Sequence, residues 1–137
     1  MRFARLAATG LLAIAASCGG STVTDVGTPP PPPPPPPGGA NVSIKEFTFS
    51  PESVTVKVGA GVRWINDGTM AHHVKSDDAV FDAGNLAPPT GGDSNYGPTA
   101  GQSYTYTFTK AGTYRYHCEN HPLSAYPNFK GVIVVTP

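Results

Sequence analysis

The sequence predicts an all-β domain, a two-sheet antiparallel or mixed Greek-key β-sandwich, carried behind an export signal and a proline-rich tether. Three observations support this. From Asn41 onward apolar residues recur with a period of two rather than 3.6, the repeat of a strand with one buried face. Turn residues punctuate that stretch at short intervals, with no helix of ordinary length between them. The 16 glycines and 16 prolines of the 137-residue chain are unevenly placed, which separates a linker from a turn-rich domain rather than indicating disorder throughout.

The first 17 residues read as a signal peptide. Arg2 and Arg5 supply a positive start, and Leu6 to Ala16 is an apolar run too short to cross a bilayer as a mature helix. The run closes on Ala15-Ala16-Ser17-Cys18, which resembles a bacterial lipobox, although Ala15 stands where Leu is commonest. On that reading Cys18 is lipidated, becomes the new N-terminus and anchors the protein to a membrane of the bacterial envelope, on the periplasmic side or at the cell surface. The alternative is an ordinary signal cleaved near Ser17 that releases a soluble protein.

Residues 18–40 form the lipidated N-terminus and linker. Ser, Thr and Gly lead into nine consecutive prolines, Pro29 to Pro37, and then Gly38-Gly39, a composition that cannot build a core. In polyproline II the prolines would extend roughly 28 Å at about 3.1 Å per residue, a semi-rigid stalk with the glycines as its joint.

Residues 41–137 form the domain. A strand is expected over Val42 to Phe49, with a phase shift at Glu46 that suggests a bulge. Further strands are expected at Val54 to Val58, where Val falls on every second residue, at Val62 to Asn66 around Trp64, and at Ala71 to Ser76. Asp77 to Gln102 holds Pro88-Pro89, Gly91-Gly92 and Gly97-Pro98 and reads as loop with at most a short irregular strand. Alternation resumes with Tyr104, Tyr106 and Phe108 inward against Thr105, Thr107 and Thr109 outward. Thr113 to Cys118 and Val132 to Thr136 complete seven or eight short strands, a number suited to a sandwich.

Charge excludes some partners. Nine basic and nine acidic side chains balance, so no nucleic-acid surface is indicated. Loss of Arg2 and Arg5 with the signal leaves seven basic against nine acidic groups, a slight acidity that names no partner.

Cysteine use is more informative. An exported domain usually spends cysteines in pairs, yet a lipidated Cys18 leaves Cys118 alone. A Cys18–Cys118 disulfide is the plain alternative, although it would tie a flexible tail to a compact turn. Cys118 and His121 are three apart with Pro122 next, so a tight turn leaving a strand can aim thiolate and imidazole at one point. His72, near the start of another strand, can close a third side. One thiolate and two imidazoles suit copper cycling between Cu(I) and Cu(II); a structural zinc site would want a fourth strong ligand and usually more cysteines.

Gly112-Thr113-Tyr114-Arg115-Tyr116-His117-Cys118-Glu119-Asn120-His121-Pro122 resembles the ligand segment of plastocyanin-like cupredoxins. Trp64-Ile65-Asn66-Asp67 before Ala71-His72-His73-Val74, with Phe81-Asp82-Ala83-Gly84 beyond, resembles the stretch around that family's first histidine ligand. Gly131 to Val135 resembles its closing strand. The resemblance covers the whole domain and implies a cupredoxin-like fold. It further implies one type 1 copper per chain on His72, Cys118 and His121, electron transfer through the solvent-facing edge of His121, and transient redox partner proteins for a monomer. His73 and His117 alternate away from the metal and read as structural.

One departure concerns the axial ligand, a methionine in most members shortly after the second histidine. Met1 leaves with the signal and Met70 lies two residues before His72. Counting from His121 puts Ser124 or Tyr126 in the axial slot; counting back from Gly131 puts Phe129 there. The Ala71 carbonyl is a further weak candidate. An apolar side chain there would favour Cu(I) and raise the reduction potential, whereas Tyr126 oxygen would lower it. Pro122, Leu123, Tyr126, Pro127 and Phe129 would rim His121, with Leu123 and Phe129 equally suited to the core.

Two other functions fit the same residues: copper storage, delivery or sensing, and a metal-free cupredoxin-like interaction module. Enzymatic readings fit worse. A Cys118–His72 nucleophilic dyad lacks an orienting partner, multicopper oxidase chemistry needs more than four histidines, and a binuclear centre needs a second cysteine nearby.

Overall fold

A computed structural model describes residue 34 and residues 37–91 and 98–137. The signal segment, Cys18 and most of the proline run lie outside the described residues. Within them the chain forms nine strands and no helix: β1 (Ala40–Lys45), β2 (Thr48–Ser50), β3 (Ser53–Lys57), β4 (Gly61–Asn66), β5 (His72–Ser76), β6 (Asp82–Leu86), β7 (Ser103–Thr107), β8 (Gly112–Cys118) and β9 (Lys130–Thr136). They make two mixed sheets, ordered β2-β1-β4-β7 and β3-β9-β8-β5-β6. Two parallel pairs, β1 with β4 and β3 with β9, sit among antiparallel ones.

Period-two burial fixes which face of each strand enters the core. Val54 and Val56 of β3 and Gly131, Ile133 and Val135 of β9 point inward between exposed or half-buried neighbours. The aromatic residues meet at the centre. Trp64 packs on Phe81 at 4.9 Å and on Tyr116 at 5.4 Å between ring centroids, Tyr116 on Phe49 at 4.9 Å, and Phe49 on Phe129 at 4.7 Å. This run of rings fills the space between the sheets and ends at the loop after Cys118. The close fit also requires Gly131, because a Cβ there would lie 2.3 Å from Tyr116 Cζ and Oη.

One expectation is corrected. Val42 to Phe49 is not one bulged strand: Glu46 and Phe47 form a tight turn, and β1 folds back on β2 with Lys45 opposite Thr48. Phe47 takes φ 62° to make that turn, a left-handed conformation that costs a residue with a Cβ about 1–2 kcal/mol. The stretch from Asp77 holds the one short irregular strand expected there, the five-residue β6, which pairs with β5 through a register shift between His73 and Lys75.

Candidate metal centre

Strand pairing places the first two donors. In the antiparallel pair of β5 and β8, Val74 lies opposite Cys118. His72 is two residues from Val74 on the same inward face, so its ring reaches the sulfur diagonally across the ladder. Both side chains are fully buried. His73, Lys75 and His117 alternate to the outer face. There His73 Nε2 lies 2.5 Å from Asp82 Oδ1, and His117 Nδ1 lies 2.6 Å from Asp77 Oδ1. These two histidines are therefore structural surface partners of carboxylates, as their positions in the strands suggest.

The third donor arrives by a turn. The His121 backbone N–H donates to the Cys118 carbonyl at 3.2 Å, a four-residue turn that folds the imidazole back over the sulfur. His121 remains half-buried and is the one donor of the three that reaches the surface. Cys118 Sγ lies 3.3 Å from His121 Nδ1 and 3.9 Å from His72 Nδ1, and one ligand atom from each of the three residues falls within 4.8 Å of the others.

These distances fit a metal. With bonds of about 2.3 Å to sulfur and 2.0 Å to nitrogen, a trigonal ion separates S from N by about 3.7 Å. Cys118 is a free thiol. Burial pushes its proton affinity up, and backbone N–H groups at His73, Asn120 and His121 pull it partly back down. Burial and the neighbouring His121 both push His72 down, so its ring is neutral near pH 7. A neutral imidazole beside a thiol whose thiolate is welcomed by three N–H groups suits a cation that displaces one proton.

The loop after His121 brings several of the axial candidates near this group to different degrees. The Ala125 and Tyr126 N–H groups both donate to the Pro122 carbonyl, and the Phe129 N–H donates to the Tyr126 carbonyl. These successive turns take up the loop and return Phe129 to the site. Its fully buried ring lies 5.1 Å from His72 and 5.6 Å from His121 between centroids. Tyr126 instead stacks on Phe47 at 4.0 Å and meets His121 edge-on at 5.4 Å, while Ser124 is exposed. The Ala71 carbonyl accepts the Asn120 side-chain amide at 3.3 Å. Leu123 is 39 % exposed and lies at the surface rather than in the core, whereas Phe129 belongs to the interior.

Two residues missed by the sequence reading support the His72 loop. Asn66, fully buried, donates to the carbonyls of Met70 and Leu86 at 2.8 Å each and accepts the Gly68 N–H at 3.0 Å. Glu46 binds both the N–H and the hydroxyl of Thr69, which hold its carboxyl down to about 2. The buried Trp-Ile-Asn run was the available signal for Asn66; for Glu46 only the phase shift in β1 marked the position.

A mixed two-sheet sandwich with one thiolate and two imidazoles gathered at one end defines the copper-binding electron carriers of the cupredoxin class. The family model for copper binding proteins of the plastocyanin/azurin family matches residues 39–136, and the chain belongs to that family, with copper as its cofactor. Plastocyanin from Scenedesmus fuscus is 36% identical over 87 residues, 64% of this chain and 85% of the relative. Amicyanin from Paracoccus denitrificans is 35% identical over 94 residues, 69% of this chain and 63% of the relative. Among solved structures, the reduced Cu(I) form of an amicyanin mutant is 30% identical with a TM-score of 0.54, covering 72% of this chain and 83% of the other.

Proposed function

We propose that this chain is an exported electron carrier in which His72, Cys118 and His121 hold a single type 1 copper and Phe129 closes the axial direction. The observation that carries this reading is the convergence of one buried sulfur and one ring nitrogen from each of two histidines within 4.8 Å of one another. When bound, copper supplies a one-electron couple. The protein's part is to offer the same donors to both oxidation states. His72 and Cys118 sit on hydrogen-bonded strands, and Asn120 ties the ligand turn to Ala71 O and to Asn85 Oδ1. An apolar ring over the site supplies no fourth donor, which favours Cu(I) and a raised potential.

Electrons would enter and leave by the outer-sphere route at His121, the one donor with exposed surface. Phe47 and Tyr126 pack against its ring, and with the exposed Leu123 two residues further along the chain they offer apolar surface suited to brief docking with redox partner proteins. Enclosure of His72 and Cys118 favours electron transfer over metal delivery, since a donor metal exchanged between proteins must be reached by incoming ligands. No chemical substrate is assigned; the chain acts as a carrier rather than an enzyme, and as a monomer. Lipidation at Cys18 and the proline stalk would hold it at a membrane of the bacterial envelope.

Copper titration of the purified protein, followed by visible absorption and electron paramagnetic resonance, tests this directly. One equivalent of copper should develop an intense thiolate-to-copper band that Cys118→Ser abolishes. A colourless folded protein with an intact thiol and no stoichiometric copper would overturn the reading.

A further inference from the structure

His72 turns Nδ1 toward Cys118, which leaves its other ring nitrogen, Nε2, to carry the proton. That Nε2 is buried and has no hydrogen-bond partner among the described residues. A buried N–H without a partner is costly, and the second nitrogen of a metal-binding histidine ordinarily faces an acceptor that fixes the tautomer. The groups nearest to it converge on Gly68. A Cβ built on that buried glycine would lie 2.7 Å from Glu46 Oε1, 3.2 Å from His72 Nε2 and 3.3 Å from Asn66 Oδ1. Asn66 Oδ1 is already occupied by the Gly68 N–H. The remaining acceptor is the Glu46 carboxylate, held beside the glycine by the N–H and hydroxyl of Thr69.

We infer that Glu46 is a positioning residue for the copper centre: across the bare Gly68 its carboxylate faces His72 Nε2–H, fixes that tautomer and lowers the reduction potential. The inference rests on the copper reading above. Oxidised copper carries one more positive charge than reduced copper, and a fixed negative charge behind a ligand stabilises the oxidised form more. The carboxylate comes from the β1–β2 turn rather than from the loop that bears His72. Its approach depends on Gly68 having no side chain, and on Thr69 being aimed at that turn.

The test uses the copper-loaded full-length protein and its Glu46→Gln and Thr69→Ala variants. Glu46→Gln removes the charge but keeps the shape; Thr69→Ala removes the hydroxyl contact but keeps the carboxylate and its backbone donor. Spectroelectrochemistry should show Glu46→Gln shifted upward by about tenfold in the Cu(I)/Cu(II) preference, about 59 mV for one electron, with the thiolate band retained. Thr69→Ala should shift much less. Equal shifts in the two variants would mean that the loop is merely loosened, and an unchanged potential in Glu46→Gln would remove the charge effect; either overturns the inference. A second readout needs no copper. Long-range nitrogen-15 spectra of the apo protein should show His72 as the Nε2–H tautomer, with the Nδ1–H form gaining population in Glu46→Gln. An identical tautomer distribution in both proteins would also overturn it. A colourless wild type would instead refute the copper reading, leaving the tautomer measurement to decide the role of Glu46.

Discussion

Replacing Phe129 separates packing from electronics, because leucine and methionine remove the same ring while only methionine brings a donor. The ring is fully buried and has two close aromatic partners, Phe49 at 4.7 Å and His72 at 5.1 Å between centroids. Each such pair is worth about 0.5–1.5 kcal/mol beyond area burial, so either substitution should cost about 1–3 kcal/mol of apo-protein stability. For a domain of this size each kcal/mol moves the melting midpoint by about 4–8 °C. The potentials should then diverge. Phe129→Leu keeps an apolar group over the copper and should stay close to the parent. Phe129→Met places a thioether there, which favours Cu(II) and should lower the potential by a tenfold change in the one-electron equilibrium or more, about 59 mV. Thermal melts of the apo proteins and redox titration of the loaded ones measure both effects. Equal potentials for the leucine and methionine variants would refute the placement of Phe129 over the metal.

Three further outcomes are expected. At pH 8, above the ordinary histidine range, copper uptake should release about one proton: burial keeps the Cys118 thiol protonated, and His72, pushed down by burial, has none to lose. Calorimetry in buffers of different ionisation enthalpy reads this number, and release near zero would mean that the apo protein already holds a thiolate. His72→Ala should abolish the thiolate-to-copper band, whereas His73→Ala should keep it and change stability by under about 1 kcal/mol, since it breaks only a surface contact with Asp82. Gly131→Ala drives a Cβ to 2.3 Å from the buried Tyr116 ring and should cost at least about 1–3 kcal/mol in urea denaturation; an unchanged midpoint would show that the ring is free to move.

Legibility followed local determinism. The convergence of His72, Cys118 and His121 was legible in the sequence because its geometry is set over short distances: a turn joins Cys118 to His121, and strand alternation sends His72 inward and His73 outward. The β1–β2 turn was harder to see, because Glu46-Phe47 carries none of the Gly or Asn that a tight hairpin normally uses; Phe47 adopts its left-handed φ in a setting of packing against Tyr126 and His121. β6 was nearly invisible for a related reason. Asp82-Ala83-Gly84-Asn85-Leu86 has little β propensity, and its strand character comes from pairing with β5. The choice among Ser124, Tyr126 and Phe129 could not be made by counting, since two successive turns consume loop length without moving the chain end. Glu46 meets the His72 loop through long-range contacts at Thr69 and Gly68, which no local pattern encodes.

The distribution of these determinants bears on how the proposed centre would be tuned. His72 and Cys118 come from adjacent strands whose ladder also anchors the aromatic core, so any change that moves them must break sheet hydrogen bonds or repack Trp64, Tyr116 and Phe49. His121 and Phe129 come from a loop built largely of successive turns and tied to its surroundings at few points, Glu119 N–H to His73 O, Asn120 to Ala71 O and Asn85, and Cys118 N–H to Phe129 O. Exposed loop residues therefore tolerate substitution with the two buried donors left in place, whereas a change at the buried Phe129 alters the potential at a cost in stability. Glu46 adds a control from the opposite side, reaching His72 from a hairpin that contributes no metal-site donor. A centre built this way separates three functions physically: strands hold the donors, the loop sets the axial environment and docking rim, and a remote carboxylate biases the charge balance.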